Sequence, residues 1–433
     1  MVRERVAKLC FLLALFLMPF ARTVKLVDDP SISWIDPTLM LSVAAFFLVS
    51  WKIKVRPGIG LIALASVSAF LGVLLHRVDP SRPHAAWYII LRDPLALVTS
   101  LVWFWVCIRY FARLGALAAR WLAASVITEM AISVYMYGAA FRLLPAPEGV
   151  QGYLRDYVAR QVVIGTGALG VIPRMGGTYE EAPMFGLFML SSLVVLVLAL
   201  RQQSLHGRRD SLLVIGAIVA AVGTFASLSG QAALGAVVFL AAMSSTKLLR
   251  SKVLRRVAAL ASLVLVGFGI QQLYARMKYE QADSSGTVVG RTFVEREFHA
   301  EYAMKILGDE PMALFMGIGP GRYGDYAAET HLFPSSVVPG VIPVEWLVGY
   351  GVIGLIVICF WLRKIAQRAW QSFGRAGLAA FTALLLVIMF QNSWFWAPWF
   401  MALGFLYAAR LSPHSTQSAN ARMALANNGV GEC

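Results

Sequence analysis

An arginine set just before two glycines is the sharpest chemical feature of this sequence. Arg174 stands in "IPRMGGTYEEAPMFGLFML", with Gly176 and Gly177 immediately downstream and an apolar run beginning near residue 183. A guanidinium offers a planar fork of donors that matches phosphate oxygens in pairs, and adjacent glycines let backbone N–H groups reach the same anion. The chemistry this spacing suits is recognition of a diphosphate at a membrane boundary. The competing account is an interfacial arginine that snorkels to lipid headgroups.

A second constellation lies in "ETHLFPSSVVPGVIPVEWLVGYGVIG", where His331 and Glu345 flank the start of another apolar run. Histidine can take a hydroxyl proton near neutral pH, and a carboxylate can do so where its surroundings favour the acid form. Both are candidate general bases; a loop histidine without a chemical role is the alternative. Upstream of them, Gly317, Gly319, Gly321 and Gly324 in "MGIGPGRYGDY" end a helical pattern and permit backbone shapes closed to other residues. Gly349, Gly351 and Gly354 read as small-residue helix packing. Glu129 falls near the middle of an apolar stretch, "SVITEMAISVYMYG". Carrying a carboxylate there costs roughly 3 kcal/mol, so it is either a functional group or a polar contact between helices. Arg92 and Asp93, beside Pro94, read as a local ion pair at a helix break.

The elements that must position these residues are membrane helices. The 433-residue chain is 59% hydrophobic and 14% charged, a balance far from that of an ordinary soluble domain. Its apolar runs predict an all-α integral membrane protein of about 12 transmembrane helices. They cover residues 6–21, 37–51, 57–75, 86–108, 121–143, 183–200, 211–227, 230–245, 257–274, 341–362, 376–391 and 396–410. Arg3, Arg5 and Lys8 precede the first run, but no small-residue cleavage site follows before Arg22, so it reads as a retained helix.

A formal charge of +15 would suggest nucleic acid if it lay on one soluble face. Instead the basic residues cluster in alternate loops, for example Lys52, Lys54 and Arg56, then Lys247, Arg250, Lys252, Arg255 and Arg256. Such alternation marks cytoplasmic loops and leaves both termini cytoplasmic. Residues 144–182 and 275–340 then form periplasmic segments of a single membrane domain spanning 1–410, and 411–433 is a disordered cytoplasmic tail. Within the second segment Phe293, Phe298, Tyr302 and Ile306 recur at helical spacing, predicting a helix at the membrane surface. The four cysteines, Cys10, Cys107, Cys359 and Cys433, form no metal-binding spacing with histidine, and no metal or other cofactor is expected.

Four stretches taken in order resemble the O-antigen ligase and O-antigen polymerase (Wzy-type) superfamily of membrane glycosyltransferases. They are "RMGGTYEEAPMFG" before a helix, "LSGQAALG" in a helical hairpin, "ILGDEPMALFMGIGPGRYGDY" ending the large outer loop, and a histidine followed by "EWLVGYGVIG". The resemblance implies an enzyme that moves a glycan from undecaprenyl diphosphate onto an acceptor sugar hydroxyl at the periplasmic face of a bacterial inner membrane. Its partners would be that donor, a glycan acceptor, the lipid bilayer and, where chain length is controlled, a regulator of it. On this resemblance Arg174 would hold the donor diphosphate with Arg291 and Arg296 as further cations, and His331 would position or activate the acceptor hydroxyl. The hairpin reads Ser229, Gly230, Gln231 where such proteins commonly carry a Ser-Arg-Gly-like triplet, which tilts the expectation from ligase towards polymerase. A glycan or small-molecule transporter is the reading from another class.

Overall fold

The computed structural model describes residues 2–20, 37–48, 57–75, 83–146, 162–163, 172–173, 175–179, 182–204, 210–244, 292–328, 341–389 and 395–408. Apart from one two-residue antiparallel pairing, β1 (Val162–Val163) with β2 (Ile172–Pro173), its regular elements are helices. In order they are α1 (Val2–Leu17), a 3-10 turn (Met18–Phe20), α2 (Pro37–Leu48), α3 (Ile59–Leu75), α4 (Pro83–Leu114) and α5 (Ala116–Ala140). After the β pair come α6 (Ala182–Ser204), α7 (Ser211–Ala226), α8 (Gly230–Ser244), α9 (Thr292–Asp309), α10 (Pro311–Met316) and α11 (Tyr323–Ala328). The chain closes with α12 (Ile342–Phe373), α13 (Arg375–Ile388) and α14 (Ala397–Ala408).

Each predicted apolar run coincides with a described helix except 257–274, which lies outside the described residues, as does the tail after 408. Four described helices are long and apolar enough to cross a membrane: Pro94–Leu114 within α4, Ala116–Ala140, Ala182–Gln203 within α6, and Ile342–Phe373. The protein is thus an α-helical membrane protein. Helices apolar on every side are stable where neighbours or lipid surround them completely. The 12-residue α14 illustrates the first case, with Trp399, Phe400, Met401 and Leu406 all shielded from solvent. The indole of Trp103 on α4 donates to the Ala397 carbonyl at its start (3.0 Å), and Trp399 donates to Leu384 of α13 (3.2 Å).

The bundle has two chemically different ends. One gathers basic residues: Arg113 at the end of α4 pairs with Glu4 of α1, and Arg120 near the start of α5 meets Asp210 at 2.5 Å. Asp210 also caps α7 by accepting from Leu212 N–H (3.2 Å). Arg201 near the end of α6 donates to the Phe373 carbonyl at the end of α12 (3.1 Å), and Arg368 lies over Tyr407. The opposite end carries the glycine-rich turns. Helix direction alternates, because α6 and α7 are antiparallel, with Met189 against Gly223 and Leu196 against Gly216. Likewise Trp105 of α4 donates to Pro57, just before α3, at 2.8 Å. The C-terminal ends of α3, α5 and α7 therefore share one side with the start of α12.

Candidate functional site

The first glycine turn, residues 175–179, does not lie on the bundle end but sinks into it. Glu129, fully buried on α5, stands 11 positions before the end of that helix, which at 1.5 Å per residue is roughly 16 Å deep. Its Oε1 accepts from the Thr178 N–H at 2.8 Å, and its Oε2 lies 2.9 Å from the Thr178 hydroxyl. That hydroxyl also reaches the Pro19 carbonyl at 2.6 Å. Met175 N–H donates to the Ala226 carbonyl (3.1 Å), and Tyr179 N–H to Gly176 (3.0 Å).

This depth follows from helix length. Helices α1 and α7 have 16 residues each, about 24 Å, short of a hydrocarbon core of roughly 30 Å. Their last carbonyls need partners, and irregular backbone is tolerated at membrane depth only where protein surrounds it and satisfies it. The turn meets both needs at once. Gly177 has a positive φ of 58°, and a Cβ there would collide with Glu129 Oε1 and come within 2.6 Å of Ser133 Oγ. Only glycine fits.

The second glycine turn, residues 317–322, is assembled by backbone contact. Gly317 (φ 77°) terminates α10, and a Cβ on it would strike the Gly349 carbonyl group of α12. Reciprocally, α12 breaks at Gly351 (φ 67°, ψ −174°), whose Cβ would strike the Phe315 carbonyl. Ile318 N–H donates to Val348 O, just before the break, at 2.8 Å. The sequence reading assigned Gly351 to helix packing; the positive φ makes it instead the point that admits the turn. Gly319 and Ile318 press on Gly72 of α3. The side chain of Arg322, 1% exposed, threads between them and donates to the Gly72 and Ile318 carbonyls.

Above this turn, Ala303, Ile306 and Leu307 of α9 form a small second core with Ala313, Ile318, Tyr323, Tyr326 and Val348. Tyr323 donates its single hydroxyl proton to the His299 carbonyl (3.0 Å) and accepts from His299 Nδ1–H (2.8 Å). Burial, with Tyr302 nearby, holds the Tyr323 hydroxyl above the usual tyrosine range, so it stays protonated at neutral pH. Tyr326 donates to the Glu310 carboxylate, and Tyr302 to the Tyr326 carbonyl at 2.8 Å.

Of the residues expected to do chemistry, Arg174, Arg291 and His331 lie outside the described residues. Arg296 falls on α9 with its side chain outside them, and the side chains of Arg92 and Asp93 on α4 do too. Glu345 sits half-buried in the first turn of α12. Gly177 is brought onto Glu129, with the buried Gly176 beside it in the turn, while Gly317 and Gly319 are brought onto α12 and α3; Gly321 (φ 75°) is exposed. The two turns dock on different helices. Thr178, Arg322, His299 and Tyr323 were not singled out from sequence, although Arg322 repeats the signal of an arginine beside glycines. Among the described residues, no group of three or more His, Cys, Asp or Glu gathers to hold a metal ion.

Against known proteins, no family model matches the chain and no curated protein matches it.

Proposed function

We propose that this protein transfers a glycan from a polyprenyl diphosphate, undecaprenyl in type, to an acceptor sugar hydroxyl at the extracytoplasmic face of a bacterial inner membrane. Polymerisation is favoured slightly over ligation to lipid A core or protein. The observation that carries this reading is the turn directly following Arg174, sunk into the non-basic end of the bundle and pinned by Glu129 and Thr178. A turn fixed in this way supports the reading that the arginine preceding it in sequence meets the donor diphosphate. Val134, Phe141 and Leu143, on α5 and just past it, leave apolar surface for a polyprenyl chain. The basic end then faces the cytoplasm, with both termini there and about 12 spans in all.

In the reaction the acceptor oxygen attacks the anomeric carbon and the bond from that carbon to the diphosphate oxygen breaks. The acceptor proton passes to His331, or to Glu345 if the histidine is only a packing residue. The diphosphate leaves with the bonding electrons, its charge met by Arg174 and by Arg291 and Arg296. A transporter would want an available polar group at mid-depth; the carboxyl at that level, Glu129, is taken up by Thr178.

Analysis of cell-surface glycan in a deletion strain tests the proposal. Single repeats on their normal acceptor indicate a lost polymerase, and full-length chains stranded on the lipid carrier indicate a lost ligase. Unchanged surface glycan overturns both.

A further inference from the structure

The Thr178 hydroxyl has one proton and two oxygens within hydrogen-bond reach, Pro19 O at 2.6 Å and Glu129 Oε2 at 2.9 Å. If the proton serves Pro19, the second contact needs a proton from the other side, which a carboxylic acid supplies. The chain then runs from Glu129 Oε2–H to Thr178 Oγ1–H to the Pro19 carbonyl, while Glu129 Oε1 accepts from Thr178 N–H (2.8 Å). Every donor in it has an acceptor. A carboxylate at this position would leave Thr178 facing two acceptors with one proton, beside a Glu129 side chain that is itself fully buried.

We infer that Glu129 is a positioning residue, held as the neutral acid, that clamps the turn after Arg174 to the 3-10 turn following α1 and to the middle of α5. The clamp ties three separate parts of the chain at one threonine: the 3-10 turn after α1, the middle of α5, and the segment leading into α6. Ser133, one helical turn on, donates to the Glu129 carbonyl at 2.7 Å and walls the same pocket against Gly177. The positioning role rests on the proposed use of Arg174 in transfer; the neutral clamp itself does not.

The test compares the purified full-length protein with E129Q and E129A. Glutamine reproduces the acid, its amide donating to Thr178 Oγ1 and its carbonyl accepting from Thr178 N–H. Infrared spectra of the wild type at neutral pH should contain a protonated-carboxyl stretching band that is missing from E129Q. Transfer from a polyprenyl-diphosphate-linked glycan should stay close to wild type in E129Q and fall about 10²-fold in E129A, the scale of a small misplacement of a binding group. T178V should behave like E129A, and T178S like wild type. No carboxyl band lost in E129Q, or equal transfer by E129Q and E129A where the wild type is active, overturns the inference. The band present but no transfer by the wild type supports the clamp and overturns the transfer reading alone.

Discussion

The two glycine turns meet the same end of the bundle by opposite means. Residues 175–179 are held through side chains, with an acid reaching in from α5 and the turn's own Thr178 hydroxyl reaching out to the Pro19 carbonyl. Residues 317–322 are held by main chain against main chain, with Gly317 on Gly349 and Gly351 on Phe315, and with a buried arginine that donates to two backbone carbonyls. A side-chain clamp fixes the orientation of the turn that follows Arg174 in sequence. In the backbone clamp the arginine is built into the turn itself, through the Gly72 and Ile318 carbonyls. Two stretches that look alike in sequence, arginine near glycines, thus divide into a candidate binding element and a scaffold element.

That division is sharpened first by chemistry. If His331 takes the acceptor proton, His331→Ala should cost about 10² to 10⁴ in transfer rate, and His331→Gln should not restore it. Near-normal rates in both would move the base to Glu345. On the first turn, Arg174→Ala should lower transfer by about 10² to 10³ and Arg174→Lys should recover little, because the planar fork is lost while the charge remains. Membrane levels of these variants, measured by immunoblot, should match wild type.

The second turn should respond in the reverse pattern. Gly351→Ala imposes a strained backbone costing about 1 to 3 kcal/mol, with a steric clash on Phe315 in addition, so its melting temperature and membrane level should fall before activity per molecule does. Arg322→Leu removes the donors to Gly72 and Ile318, a loss of about 1 to 3 kcal/mol in the same assay. Gly321→Ala, at an exposed position with φ 75°, should cost only about 1 to 2 kcal/mol. If Arg322→Leu kept its stability but lost transfer, the comparison would break, and the second turn would join the reacting site.

Helix positions were legible because long apolar runs separated by basic clusters admit few alternatives. The helix around Phe298 and Tyr302 was legible from its spacing, and α9 covers it. The depth of the first turn was not. Nothing near Thr178 says that it bonds to Glu129, 49 residues earlier, and the clue was indirect: a carboxyl in an apolar helix needs a partner. The break at Gly351 was hidden for a different reason, since a glycine that packs helices and one that breaks a helix have the same neighbours in sequence. His299 was passed over because its role depends on Tyr323 being folded back beside it.

The most direct test of the account is transfer from a purified polyprenyl-diphosphate-linked glycan by the purified protein, with wild type and Arg174→Ala run side by side. The account predicts that wild type releases free polyprenyl diphosphate and forms the elongated or ligated glycan, and that Arg174→Ala does both about 10² to 10³ times more slowly while remaining folded. Equal release by the two proteins, or none by wild type with any acceptor sugar, would contradict it.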